Sequence, residues 1–261
     1  MTGVQTCALP IFLSADARPY VAAHELNDFD ALWSLSLTPV DAPNLERGGH
    51  SEVCRMTLEA PGLPPRDFFL KRQTNHLGRS LSRPWGEPTF AREARNIAAF
   101  QRLGIPALES AYFEERRRDG RWQAILVTPA LSGYTDMIEH HAHWETLEPA
   151  TRDAIVDTCA DLLGTLHRRR WRHGSLYAKH VFLRPAADAP TGFEARFIDL
   201  EKSRPLLNAG REKRRDLEVF ARRLPQWRSA TWRRFLGRYL QRPAESAEVE
   251  RWLGALTLPN R

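Results

Sequence analysis

The spacing of apolar positions changes twice along this chain. In residues 52–58, Cys54, Met56 and Leu58 alternate with Val53, Arg55 and Thr57, the two-residue period of a strand with one buried face. Trp33-Ser34-Leu35-Ser36-Leu37 alternates in the same way, and Gly48-Gly49 between the two runs predicts strand, glycine turn, strand. Phe68-Phe69-Leu70-Lys71 predicts another short strand, preceded by a loop through Pro61, Pro64 and Pro65. From Pro88 to Leu103 the period lengthens: Phe90, Ala94, Ile97 and Ala98 fall at helical spacing, and Glu93 sits beside that stripe. Residues 107–113 and 121–128 flank Asp119-Gly120 and predict a hairpin.

Beyond Pro129 the pattern is mainly helical. Pro149 opens a segment in which Ile155, Cys159, Leu162, Leu163 and Leu166 form one apolar face, closed by Arg168-Arg169-Arg170, where cations suit a helix C-terminus. A loop from His173 to Lys179, a strand at Val181-Phe182-Leu183 and a strand at Phe197-Ile198-Asp199-Leu200 follow. Trp232, Phe235, Leu236, Tyr239 and Leu240 then fall at helical spacing. This order predicts an α+β chain with a small β-rich N-lobe holding one helix (20–130) and a larger, mainly helical C-lobe (131–261). Residues 1–19 are expected to be a non-native or disordered start. Met1 to Ile11 lacks the basic and apolar regions of an export signal and resembles translated sequencing-adaptor sequence, so it is set aside from fold reasoning. No apolar run reaches the ~18 residues of a membrane span, which excludes a transmembrane protein.

Composition adds two constraints. With 261 residues, 42% hydrophobic, and with 8 Trp and 12 Phe, the chain can bury a sizeable core. Three cysteines at irregular spacings fit neither a disulfide framework nor a zinc cluster, and a reducing cytoplasm suits them. A net charge of +6 would ordinarily suggest nucleic acid or an anionic membrane as partner. Only four of the 38 basic residues are lysine, however, and this skew reflects a GC-rich coding sequence better than a selected surface. No nucleic-acid-binding module appears, so no nucleic-acid partner is expected. The same skew makes the retained lysines, Lys71, Lys179, Lys202 and Lys213, worth a reason.

A lysine ending a strand and a carboxylate on the inner face of the next helix, Lys71 and Glu93, can pair so that the ammonium faces phosphate as a point charge. The turn Arg47-Gly48-Gly49-His50-Ser51 can bring backbone amides to phosphate oxygens. A surface ion pair and an ordinary hairpin turn would use the same residues. Further on, His173-Gly174-Ser175-Leu176-Tyr177-Ala178-Lys179-His180 precedes a strand, and His180 with Asp199 is a candidate Mg²⁺ or Mn²⁺ pair beside nucleotide phosphates, the alternative being a satisfied core histidine. Together the order matches a protein-kinase-like fold. His140, His141 and His143 lack the pattern of a metal site. Asp216 serves either as a helix cap or as a holder of the loop backbone. The run from Trp227 to Tyr239 reads better as a packed helix than as a membrane surface.

The stretches Phe69-Leu70-Lys71-Arg72-Gln73, Gly86 to Glu93, His173 to His180 and Ile198 to Arg204 resemble the lipopolysaccharide kinase (Kdo/WaaP) family, most closely its InaA-like branch. The resemblance covers roughly Leu37 to Leu240. It implies a kinase fold, ATP with Mg²⁺ or Mn²⁺, and phosphorylation of a sugar hydroxyl of the lipopolysaccharide core. It also implies lipopolysaccharide or another anionic glycolipid as partner, and a cytoplasmic location with peripheral contact at the inner face of the inner membrane. By this resemblance Lys71 is the phosphate-binding lysine, Glu93 its helix partner, Asp199 the metal-binding aspartate, and His180 stands where most protein kinases carry an asparagine ligand. Ser175 departs from the pattern, because it occupies the place of the aspartate that accepts the substrate proton. A serine hydroxyl cannot do so at pH 7, which implies a slow enzyme or, as the alternative, an impaired kinase-fold protein that binds nucleotide or a partner in an envelope or acid-stress response.

Overall fold

The computed structural model describes residues 12–45, 48–80 and 83–259. They cluster into two compact units, one within Met1–Ala98 and Leu108–Ser132, the other within Ala99–Ala107 and Gly133–Arg261. The segment 99–107, inside the span expected for the N-lobe, clusters with the second unit.

The first unit runs β1 (Phe12–Leu13), α1 (Arg18–Ala23), α2 (Phe29–Ser34), β2 (His50–Ala60), β3 (Leu63–Thr74), β4 (Leu77–Ser80), β5 (Arg83–Pro88), the start of α3 (Thr89–Leu103), β6 (Tyr112–Arg118) and β7 (Arg121–Pro129). Five strands form an antiparallel sheet in the order β1-β6-β7-β3-β2, and β4 and β5 pair with each other alone. Side-chain alternation divides the labour of β3 between its two faces. Phe68 and Leu70 join Met56, Leu58, Ile125 and Val127 in a core covered by Tyr20 and Val21 of α1 and Phe29 and Leu32 of α2. Next on that face, Arg72 donates from Nη1 to the carbonyls of Trp33 and Leu35, both at 2.7 Å, and so satisfies the C-terminal end of α2. Gln73 points the other way. Its Nε2 donates to the His76 carbonyl at 2.7 Å, and its Oε1 accepts from Thr89 Oγ1 at 3.0 Å and from the Phe90 amide at 2.8 Å, which fixes where α3 begins.

Four sequence expectations change here. Trp33–Leu37 is not a strand: Asp28 caps α2 by accepting from the Ala31 amide, Phe29 and Leu32 bury one helical face, and Phe29 stacks on Trp33, so a helix ending at Ser34 outcompetes the alternating pattern. Residues 12–19 are not a disordered start, since β1 pairs with β6 and Ala17 is fully buried; residues 1–11 lie outside the described part. Pro64 and Pro65 belong to β3, where that strand pairs with β2 only and their missing N–H groups interrupt no ladder toward β7. Strand β6 starts at Tyr112 rather than 107, and it turns into β7 through Asp119 (φ 50°) and Gly120 (φ 75°), a two-residue turn with both residues left-handed.

The second unit contains β8 (Thr135–Asp136), α4 (Met137–Ala142), α5 (Pro149–Arg168), β9 (Trp171–Arg172), β10 (Val181–Pro185), β11 (Phe193–Phe197), β12 (Arg204–Pro205), α6 (Ala209–Ala221), α7 (Ser229–Leu240) and α8 (Ala247–Ala255). Its small sheets are β11-β10-β8 and β12-β9. The apolar face expected on α5 is buried from Ile155 to Leu166. Trp232, Phe235 and Tyr239 of α7 are buried too, with Trp227 and Trp232 packed edge to face at 4.9 Å. On the outer side of α7, Arg234 makes bidentate bonds to Asp157 and Arg238 to Asp161. The arginine-rich run is therefore a packed helix whose outward charges are paired. Asp199 does not end a strand, because β11 stops at Phe197. Asp216 lies inside α6, whose cap is Asn208, so it is no helix cap. Cys54 and Cys159 are buried free thiols.

His140 and His141 close α4, and among the described residues no three His, Cys, Asp or Glu side chains gather as a metal site. Burial pushes the His141 imidazole down to about 4, and its Nε2 faces the Gln226 amide at 3.5 Å. An imidazole kept neutral in the fold protonates more readily when unfolded, near an ordinary value of about 6.5, so its contribution to stability is full above that pH and is lost as pH falls toward 4. Unfolding free energy measured by urea titration should drop between about pH 6.5 and 5 by up to ~1.4 kcal/mol per pH unit for each such histidine. His141→Gln should flatten that drop; an identical slope in parent and variant would show that His141 titrates normally.

Candidate functional site

The first unit supplies an ion pair. Lys71 lies on β3 opposite Val53 of β2 and Leu126 of β7, on the face shared with Gln73. Because Gln73 sets the first turn of α3, Glu93 falls one turn further along, and Lys71 Nζ lies 2.6 Å from Glu93 Oε1. The lysine side chain is 16% exposed and the glutamate 3%, so this is a largely desolvated pair with ammonium donors to spare. The ammonium also sits 6.0 Å from the centre of the Phe90 ring. Isolated bridges Pro39↔Cys54 and Asn44↔Ser51 flank the glycine turn. Gly48 is left-handed at φ 70°, and a Cβ on Gly49 would lie 2.3 Å from the Asn75 carbonyl carbon and the His76 nitrogen. The backbone of the chain itself thus demands Gly49, while Gly48 has open space beside it. Arg47 lies outside the described residues.

The second unit brings Ser175, His180 and Asp199 together. After β9 the chain passes through His173, whose Nε2–H donates to the Ile198 carbonyl at 2.9 Å, and Gly174 at φ 81°. A Cβ on Gly174 would meet the Lys202 carbonyl at 2.5 Å, so only glycine lets the two segments lie this close. The Ser175 carbonyl accepts from the Tyr177 amide at 2.7 Å and from His180 Nδ1 at 2.8 Å. A carbonyl can only accept, so Nδ1 carries the proton and Nε2 of a neutral ring keeps its lone pair. Burial pushes the His180 pKa down, against the pull of Asp199, and favours that neutral ring. Asp199 Oδ2 lies 3.4 Å from His180 Nδ1, and its side chain is 43% exposed and open to a ligand. Its backbone is left-handed (φ 57°, ψ 60°), a conformation that aspartate tolerates better than most residues. Lys179 and Lys202 are exposed next to this group.

Sequence reasoning left the role of Asp216 open, and the structure gives it one. Its Oδ2 accepts from the His173 amide at 2.8 Å and its Oδ1 from the Gly174 amide at 3.2 Å. His167 on α5 completes the arrangement: Nε2–H donates to Asp216 Oδ2 at 3.4 Å and Nδ1 accepts from Tyr239 Oη on α7 at 2.7 Å. Burial works against the Asp216 charge, yet His167, the His173 amide and Arg172 outweigh it and hold the carboxyl below its usual range. Glu212 behaves similarly: burial opposes its charge, but Arg204 and the amides of Leu207 and Asn208 keep it at about 2. The Glu212 partners are local, but the Asp216 partners lie 42 to 49 residues away, too far to show in any local pattern.

Residues 30–239 match the model of the lipopolysaccharide kinase (Kdo/WaaP) family. The chain belongs to that family. Among curated proteins, Protein InaA of Escherichia coli (strain K12) is 28% identical over 209 residues, which cover 79% of this chain and 92% of that one. Among solved structures, WaaP in complex with acyl carrier protein has the same fold, with a TM-score of 0.67 at 20% identity over 95% of this chain and 97% of that chain.

Asp216→Ala should leave the buried amides of His173 and Gly174 unpaired, at about 1–3 kcal/mol for each group. Hydrogen exchange at those two amides should accelerate and global stability should fall; unchanged protection at both would remove Asp216 as the organiser of the loop.

Proposed function

We propose that this chain is an ATP-dependent phosphotransferase of the lipopolysaccharide kinase type, with a protein-kinase-like fold, acting on a sugar hydroxyl of the lipopolysaccharide core at the cytoplasmic face of the inner membrane. The observation that carries the reading is the grouping of Ser175 and His180, on a loop gripped by a buried carboxylate, with left-handed Asp199 after β11. Lys71, held by Glu93, neutralises nucleotide phosphate, and the turn at Gly48 and Gly49 offers backbone amides to it. Asp199 supplies a carboxylate and His180 an imidazole Nε2 for a divalent cation. Two protein ligands are few, and that suits Mg²⁺, which keeps waters and takes phosphate oxygens as its remaining ligands. Magnesium-ATP, when bound, supplies the phosphoryl group and neutralises its charge.

Ser175 offers no base at neutral pH, and the His180 Nε2 lone pair is committed to the cation while Nδ1–H is held by the Ser175 carbonyl. Transfer then relies on positioning and electrostatics, without the ~10²- to 10⁴-fold that a general base typically contributes. That same residue favours the second reading, a protein that binds nucleotide and acts through partners with little or no turnover.

ATP with Mg²⁺ should raise thermal stability, by about 2.7 kcal/mol at 100 times the dissociation constant. Lys71→Ala should shrink the shift while the fold survives, and Asp199→Asn should abolish its Mg²⁺ dependence; equal shifts in parent and variants would overturn both assignments. In a separate assay, Ser175→Asp should increase ATP turnover or lipopolysaccharide phosphorylation by at most ~10²- to 10⁴-fold. Nucleotide binding without any gain would assign the chain to the binding reading.

A further inference from the structure

Of the eight tryptophans, seven are buried or half-buried, and Trp85 is 91% exposed. It stands on β5 of the β4–β5 hairpin, which pairs with no other strand. The base of this hairpin is firmly tied. Leu77 pairs with Pro88 and Gly78 with Glu87, the Thr89 amide donates to the His76 carbonyl at 3.2 Å, and the buried Glu87 carboxylate is held by Arg92 at 3.2 Å and Arg95 at 2.6 Å. Gly86 is left-handed at φ 90°, with room for a Cβ only 3.3 Å from Leu77 Cβ. An indole so exposed on a braced element is displayed by the fold. Beside it, Arg79 and Arg83 are exposed. Arg79 has no ion partner among the described residues, and Arg83 reaches only to 3.9 Å from Glu87, whose charge Arg92 and Arg95 already neutralise.

We infer that the β4–β5 hairpin is a membrane-docking finger, with Trp85 entering the headgroup layer of an anionic bilayer and Arg79 and Arg83 meeting lipid phosphates. Tryptophan suits that layer, with an apolar body and a polar N–H, and exposed basic residues add attraction to an anionic surface. The arginine-rich helix α7, the other basic and aromatic run, is unsuited to the role because its aromatics are buried and its outward arginines are paired with Asp157 and Asp161. The inference stands on the hairpin alone and holds whether or not the chain transfers phosphate.

The test is sedimentation of the full chain with phosphatidylglycerol–phosphatidylethanolamine vesicles and with phosphatidylcholine vesicles. The parent should favour the anionic vesicles and detach with added salt. Trp85→Ala should weaken partitioning by roughly tenfold, and Arg79→Gln with Arg83→Gln by roughly fivefold for each charge removed. Circular dichroism and the ATP-induced thermal shift, measured on the same proteins, should not change, which separates this surface from the nucleotide site. The inference falls if the parent ignores anionic vesicles, or if both variants sediment as the parent does. It also falls if the arginine variant loses binding to a short RNA while keeping its vesicle binding, which would make the hairpin a nucleic-acid contact.

Discussion

The buried carboxylate of Asp216 is satisfied only because two separated parts of the second unit deliver donors to it: the run from Arg172 to Gly174, through the arginine side chain and the amides of His173 and Gly174, and His167 from α5. An ionised group at that depth would be costly without them. Once they are in place, the rest of the arrangement follows in sequence. The fixed backbone at Gly174 allows Lys202 to lie against it, Ser203 Oγ donates to the His173 carbonyl, and the Ser175 carbonyl is aimed at His180. Tyr239 ties α7 into the same chain of hydrogen bonds through His167, so the tryptophan-rich core and the His173–His180 loop share one polar anchor.

The first unit solves a similar problem with a strand. Alternation along β3 sends Arg72 to the end of α2 and Gln73 to the start of α3, and Lys71, two residues before Gln73 on the same face, inherits its alignment with Glu93. Two neighbouring polar residues thereby fix helices on opposite faces of the sheet. Arg72 is balanced by Glu52 at 2.5 Å, and Gln73 by a set of neutral partners, so neither brings an unpaired charge into the interior.

Features that rest on neighbours in sequence were legible. The helical faces of α3, α5 and α7, the Asp119-Gly120 turn and the membership of the Kdo/WaaP family all follow from short stretches of residues. Lys71, Glu93, His180 and Asp199 stood out in the sequence because each is a residue type out of keeping with its surroundings, and the structure places Lys71 against Glu93 and His180 beside Asp199. What escaped depends on partners distant in sequence. The bond from Asp216 to the His173 amide spans 43 residues, and that from Tyr20 to the Pro64 carbonyl spans 44. The run Trp33–Leu37 was mistaken for a strand because it alternates, whereas the cap at Asp28 starts a helix that takes in Trp33 and Ser34. The β4–β5 hairpin, interrupted by Gly78, Pro84 and Gly86, lacks a clean period of either kind.

The left-handed backbone at Asp199 shapes how this position can drift over evolutionary time. A β-branched or bulky residue is strained there regardless of whether catalysis is under selection, whereas asparagine and glycine fit the backbone. Under the proposed function, a lineage that stopped transferring phosphate would first exchange the carboxylate for those two, and the surrounding geometry would outlive the chemistry. An Asn or Gly at this position in a relative would therefore mark relaxed selection on the reaction with the fold still maintained, while a β-branched residue would mark a loop that had itself been rebuilt.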